Sequence, residues 1–186
     1  MTLTLRTIPA RHLDPRKSDE ILALCSAAYE EDFGQYAELF SDPIHVLAEE
    51  DGRLVSHALW IERILEADHR LQLRTAYVEA VATLPALQGR GYGSAVMRTL
   101  GAAIQDGYDL AALSPSDPAF YARFGWELWQ GPLLVRTDAG TEAVGTEAAG
   151  EEAAPDEEAM ILRLPATPPL DLTWSLSVEW RPIEPW

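Results

Sequence analysis

The segment from Tyr77 to Ala95, YVEAVATLPALQGRGYGSA, constrains this chain more than any other. It opens as an apolar strand interrupted by one carboxylate, Glu79. It turns at Leu84-Pro85, passes through Gln88-Gly89-Arg90-Gly91-Tyr92-Gly93, and continues as a helix. A strand that runs through glycines into a helix N-terminus is suited to anions. Gly89, Gly91 and Gly93 let the backbone approach a ligand and aim several N–H groups at it. The helix dipole then favours a pyrophosphate, and Arg90 could add a charge. The run is not a P-loop, because no Gly-Lys-Ser/Thr follows. Hairpin-connected strands precede it, which argues against a dinucleotide fold. The alternative is a tight strand–helix turn without a ligand.

The rest of the chain supplies a mixed α/β layout. Residues 2–8 alternate as a first strand. Ser18 is placed to cap a helix through about Glu31, with Ile21, Leu22, Leu24, Cys25 and Ala28 on its apolar face. A short helix is expected over 35–40. Strands follow at Ile44–Glu49, Arg53–Leu65 and Leu71–Thr83, with Asp51-Gly52 as a hairpin signal. The helix after the glycines should cover about Tyr92 to Gln105, followed by a strand at Asp109–Leu113. Asp117 and Pro118 read as N-cap and first residue of a short helix ending at Gly125. Trp126–Thr137 is expected as one strand with a bulge or bend at Gly131-Pro132, with further strands at Met160–Leu164 and Leu170–Trp180. Residues 138–158 are acidic and nearly free of large apolar groups, so a mobile loop is expected there.

With 186 residues, 47% of them hydrophobic, one domain spanning 1–186 is expected. The N-terminus lacks the apolar run of a signal peptide, and no stretch is long enough to span a membrane. The single cysteine, Cys25, excludes an internal disulfide and fits a reducing compartment, so a cytoplasmic location is expected. Cys25 lies in an apolar helical pattern and reads as core. The net charge of −16 argues against nucleic acid and would draw a polycationic substrate, although it also serves solubility. His12, His45, His57 and His69 read as scattered, without metal-ligand partners, so no metal is expected.

Gln88-Gly89-Arg90-Gly91-Tyr92-Gly93 resembles the Gln/Arg-x-x-Gly-x-Gly/Ala coenzyme A signature of the GCN5-related N-acetyltransferases, and the order of elements is similar to that fold. The resemblance implies a mixed central sheet with antiparallel N-terminal strands, splayed central strands and flanking helices. It implies that acetyl coenzyme A is the cosubstrate. Val81, Ala82 and Thr83 would contact the pantetheine arm, and Gln88, Gly89, Arg90, Gly91, Tyr92, Gly93 and Ser94 the pyrophosphate. YVEAVAT, ALSPS, FYARFGW and the terminal WRPIEPW together resemble the aminoglycoside 2′-N-acetyltransferases over nearly the whole chain.

Acetyl transfer to an ammonium first requires loss of a proton. Glu79, amid apolar strand residues, is costly unless paired or working, and burial would raise its pKa toward a useful range. In strict alternation it shares a face with Tyr77, Val81 and Thr83, opposite Val78, Ala80 and Ala82. The residue reading leaves open an edge-exposed glutamate; the resemblance implies the base, acting through water. Tyr121 could protonate the departing thiolate or pack as a core aromatic, and the resemblance places a tyrosine near the sulfur. Phe120, Phe124 and Trp126 read as packing.

For the acceptor, the resemblance implies contacts from Ser114, Glu157, Glu184 and the terminal carboxylate of Trp186, making 180–186 a functional tail. The tail could instead dock structurally through its tryptophan. A further family aspartate near 36–38 is not matched: Tyr36 and Ala37 stand there, with Glu38 close by. That departure bears on the acceptor and not on the donor. The expected activity is direct acetyl transfer to a primary amine of an aminoglycoside-like polyamine, with backbone N–H groups stabilising the oxyanion. The alternatives are another small amine, a peptide N-terminus, or a non-catalytic acyl-CoA-binding module. The final strand could pair with a second copy as a homodimer.

Overall fold

A computed structural model describes residues 2–137, 140–143, 157–182, 185 and 186. The chain forms two compact units, one of Met1–Ile61 with Val78–Gln105, the other of Glu62–Tyr77 with Asp106–Trp186.

The first unit begins with β1 (Leu3–Pro9), antiparallel to β2 (Ile44–Glu50), which pairs antiparallel with the first part of β3 (Arg53–Ala67). Asp51 and Gly52 both take positive φ, 48° and 83°, as a two-residue hairpin requires. The β2–β3 register slips by one residue between Ala48 and Glu49. Helix α1 (Pro15–Tyr29) buries Ile21, Leu24 and Cys25. Its cap is Asp14, whose side chain accepts from the Lys17 amide, and not Ser18 as expected. Pro15, with its fixed φ and missing N–H, starts the helix four residues earlier. Helix α2 is a single turn, Gly34–Ala37. Residues 78–83 complete β4 (Leu71–Thr83), and α3 (Tyr92–Ala103) follows, packed on β1 and β2.

The second unit carries residues 62–67 of β3 and 71–77 of β4. Its strands include β5 (Leu110–Leu113), β6 (Glu127–Leu128), β7 (Leu133–Thr137), β8 (Gly140–Ala143), β9 (Met160–Arg163) and β10 (Leu176–Glu179). They run in the order β6-β9-β5-β4-β3-β10-β7-β8. The β3–β10, β5–β9, β6–β9 and β7–β8 pairs are antiparallel, and β4–β5 and β7–β10 are parallel. Helix α4 (Pro118–Ala122) is capped by Asp117, whose Oδ1 accepts from the amides of Ala119 and Phe120.

Three expected elements are corrected. The strand read at 126–137 is two strands, β6 and β7, because residues 129–132 leave the ladder: the amides of Gln130 and Gly131 donate to Leu172 O. The final strand covers only Leu176–Glu179. Asp171 Oδ1 takes both the amide and the hydroxyl of Thr173, a local turn that competes with extension. Within the acidic stretch read as a loop, residues 140–143 form β8; residues 138–139 and 144–156 lie outside the described residues. Among the described residues no helix is long and apolar enough to cross a membrane.

Candidate active site

In the first unit the site is built from the end of β4 and the start of α3. Gly89 and Gly91 have φ of 74° and 88°, so a non-glycine residue would be strained at either position. Gly91 is the N-cap of α3, and among the described residues no side chain caps the helix. The amide of Ala95 donates to Gly91 O at 3.0 Å, and those of residues 92–94 precede it in the first turn, where a helix has no i−4 carbonyl to offer. Among the described residues nothing lies within 4 Å of where a Cβ of Gly89 or Gly91 would stand, so the turn has open space for a ligand. Arg90 is exposed and Gly93 and Ser94 are half-buried. Tyr92 is buried, and its hydroxyl donates to Glu50 Oε1 at 2.6 Å, so only its backbone is left for a ligand. Gln88 Nε2 points to Thr83 O at 3.5 Å and braces the turn.

Glu79 is half-buried, with Oε1 sealed from solvent. The next residue, Ala80, has φ of 53° inside a strand. A left-handed conformation costs an alanine about 1–2 kcal/mol, so its surroundings must hold it. Burial still alternates as expected along this end of β4: Val78, Ala80 and Ala82 are buried, and Glu79, Val81 and Thr83 are half-buried. The carbonyls that follow are each taken by a side chain. His57 Nδ1 lies 2.9 Å from Ala80 O; the Tyr29 hydroxyl donates to Val81 O at 3.1 Å; the Ser56 hydroxyl donates to Ala82 O at 2.8 Å and also lies 2.8 Å from Thr83 Oγ1.

Behind His57 stands His45. Its Nδ1 is 2.9 Å from His57 Nε2, and both rings are buried. The histidines read as scattered therefore include a bonded pair. Burial lowers both pKa values, and the neighbouring ring lowers that of His57 further, so both are neutral at pH 7. Cys25 Sγ lies 3.7 Å from His57 Nδ1, and burial pushes its thiol up to about 12, as befits a core residue and not a nucleophile. His45 also lines an apolar cavity of about 180 Å³ with Leu13, Ile21, Phe33 and Phe40. Among the described residues no group of three or more His, Cys, Asp and Glu is placed to hold a metal ion.

The second unit holds the other predicted residues. Tyr121 on α4 is 5% exposed, and burial raises its pKa to about 12, opposed in part by a hydrogen bond with Ser116. It is a phenol, not a phenolate, at neutral pH. Phe120 meets it edge-on, as expected for packing. Ser114 is exposed just past β5, and Glu157 is half-buried. Glu184 lies outside the described residues. Trp186 is buried at 3% exposure. The tail is held by Arg63, itself 4% exposed: Nη1 donates to Pro185 O at 2.6 Å, Nε to Glu179 Oε1 at 2.8 Å and Nη2 to Glu179 O at 2.7 Å. Sequence reasoning missed Arg63, His57, Ser56 and Tyr29, because each bonds the backbone of a residue distant in the chain, and it missed His45, whose partner is the His57 ring.

A family model described as an acetyltransferase (GNAT) domain matches residues 9–129. The chain is 32% identical over 187 residues to an aminoglycoside 2′-N-acetyltransferase from Mycolicibacterium fortuitum, covering 98% of this chain and 92% of that protein. Among solved structures it is similar to a GNAT-family N-acetyltransferase from Escherichia coli in complex with CoA, with a TM-score of 0.61 and 17% identity over 96% of this chain and 91% of that one. It is also similar to a GNAT-family acetyltransferase from Brucella melitensis in complex with acetyl-CoA, with a TM-score of 0.54 and 19% identity over 85% and 94%. It spans about a third, 32%, of the length of Eis1 from Mycobacterium abscessus, with a TM-score of 0.56 and 22% identity over 72% of this chain. This chain belongs to the GNAT acetyltransferase family. Its fold is the mixed α/β fold of that family, and its activity is N-acetyl transfer.

Proposed function

We propose that this N-acetyltransferase uses acetyl coenzyme A to acetylate a primary amine of a small polycation, an aminoglycoside in the first instance. The observation that carries the acceptor is the 32% identity to an aminoglycoside 2′-N-acetyltransferase across 98% of the chain. The donor fits the α3 turn on two grounds: the helix has no side-chain cap, and its two left-handed glycines leave open space. Gln88 through Ser94 would hold the pyrophosphate, chiefly by amides, and Val81, Ala82 and Thr83 the pantetheine arm. Bound there, acetyl coenzyme A supplies an activated thioester.

Glu79 takes the ammonium proton through water, leaving a neutral amine as nucleophile. Backbone N–H groups of β4 stabilise the negative charge that develops on the acyl oxygen. Tyr121, kept protonated by burial, gives its proton to the departing sulfur. Ser114, Glu157, Glu184 and the Trp186 carboxylate draw the acceptor's ammonium groups, helped by the net charge of −16. Transfer is direct, without an acyl-enzyme.

The test is release of free thiol from acetyl-CoA with gentamicin, kanamycin, spermine and a tripeptide amide as acceptors, with products identified by mass. Gentamicin is expected to turn over fastest. Turnover of spermine or the peptide alone would replace the acceptor, and acetyl-CoA binding without turnover of a broad panel would favour a sensor module. Removing Trp186 should raise the gentamicin KM by roughly tenfold, about the value of one charge-assisted contact, with acetyl-CoA affinity unchanged. An unaltered KM would reduce the tail to packing.

A further inference from the structure

We propose that His57, with His45 behind it, is the positioning device that aims Glu79. This rests on the reading of Glu79 as the group that takes the amine proton.

Hydrogen-bond logic fixes the arrangement. A carbonyl only accepts, so the contact between His57 Nδ1 and Ala80 O requires the proton on Nδ1. His57 is neutral, so its Nε2 is then an acceptor. His45 must therefore donate from its own Nδ1. The chain of donors runs from His45 to His57 to the carbonyl immediately after Glu79. Cys25 Sγ, at 3.7 Å from the same nitrogen, is a weaker competitor than the carbonyl oxygen at 2.9 Å.

The direction of this chain matters because of where it ends. Among the described residues the non-glycine positions with positive φ are Glu30, Asp42, Asp51, Asp68, His69 and Ala80, and the first five stand at a helix end, bends or turns. Ala80 alone among them is inside a strand, next to the half-buried carboxylate. A left-handed residue sets the course of the backbone on either side of it, so the bond that holds Ala80 also fixes the stretch of strand from which the Glu79 carboxylate projects. The Tyr29 and Ser56 bonds hold the next two carbonyls.

A second irregularity makes the pair. Closing the hairpin from Glu50↔Arg53 without a bulge would put residue 46 opposite His57, with His45 on the other face. The slip between Ala48 and Glu49 changes the partners to Leu47↔His57 and His45↔Leu59, so the two rings become diagonal neighbours on one face.

The experiment has an acceptor-free arm and a kinetic arm. Long-range ¹H–¹⁵N NMR of the wild-type protein at pH 7 should find His45 and His57 neutral and both protonated at Nδ1; a His57 protonated at Nε2 overturns the proposal. In the kinetic arm, His57→Phe should lower kcat with gentamicin by roughly 10- to 100-fold, the scale of a misplacement near 1 Å, with acetyl-CoA affinity within about twofold. His57→Asn, which restores a donor near the Nδ1 position, should recover most of that loss and serves if the phenylalanine variant does not fold. In a Glu79→Gln background His57→Phe should cost nothing more, because both remove one function. A full kcat in a folded His57→Phe protein, or losses that multiply across the double variant, refutes the positioning role. If Glu79→Gln alone leaves kcat intact, the base reading itself has failed.

Discussion

Residues 84–94 and residues 79–83 follow one another in the chain, yet they are shaped by different causes. The turn after Leu84 takes its shape from its own residues: Pro85 opens a tight turn, Gly89 and Gly91 adopt left-handed φ that only glycine accepts readily, and α3 starts at Tyr92. The end of β4 has no glycine, and its left-handed residue is an alanine. Its shape comes from side chains of α1 and β3, through Tyr29, Ser56 and His57. Where a shape is intrinsic, changing the local residue destroys it. Where it is imposed, changing a remote residue does.

The largest expected effect lies in the imposed region. Glu79→Gln keeps size and removes the base, so kcat should fall by about 100-fold, the lower range for a general base, with acetyl-CoA affinity retained in calorimetry. The loss should be greatest at low pH, where fewer acceptor amines are already neutral. Equal losses in kcat and coenzyme affinity would make Glu79 part of the donor site instead.

Next is the pH dependence of the histidine pair. Burial lowers both pKa values below the ordinary 6.5. The unfolded chain therefore binds more protons than the folded one as pH falls below about 6.5. Stability is fully present above that pH and declines beneath it, by on the order of 2 kcal/mol between pH 6.5 and 5. Carboxylates titrate mostly lower. Urea midpoints across that window should fall in wild type and stay flatter in a His45→Asn, His57→Asn double variant. Equal slopes would mean that the rings are solvated and cannot hold Ala80.

In the intrinsic region, Gly91→Val should weaken acetyl-CoA by about tenfold, since a β-branched residue at φ of 88° is strained by 1–3 kcal/mol or must pull the turn out of shape. Calorimetry reads this directly, with kcat at saturating donor little changed. Normal affinity would show that the amides of this turn are not the diphosphate's partners.

The same contrast explains what could be read from the sequence. β4 at Leu71–Thr83, the start of α3 and the Asp117–Pro118 helix start were all legible, because each rests on local residue chemistry. Asp14-Pro15 carries the same signal as Asp117-Pro118, and reading it that way would have placed α1 correctly. The His45–His57 pair was not legible, because the hairpin signal at Asp51-Gly52 fixes a register that the bulge at Ala48 and Glu49 then shifts by one. Nothing local marks that bulge. Arg63 reads as one more strand residue until residues 179 and 185 are seen to bond to it.

The smallest expected effect is the sharpest test of the difference. Ala80→Gly removes the strain of a Cβ at φ of 53°, a gain of about 1 kcal/mol, but it also frees the unfolded chain, a loss of about 0.4–1 kcal/mol. The two nearly cancel, so the urea midpoint should barely move. If His57 imposes the kink, glycine keeps it and kcat stays within about twofold of wild type, in keeping with a geometry fixed from outside. If the alanine methyl itself wedges the strand, kcat falls at unchanged stability, and residues 79–83 belong with the turn that follows them: shaped by their own side chains, and open to being read from sequence by the same rules.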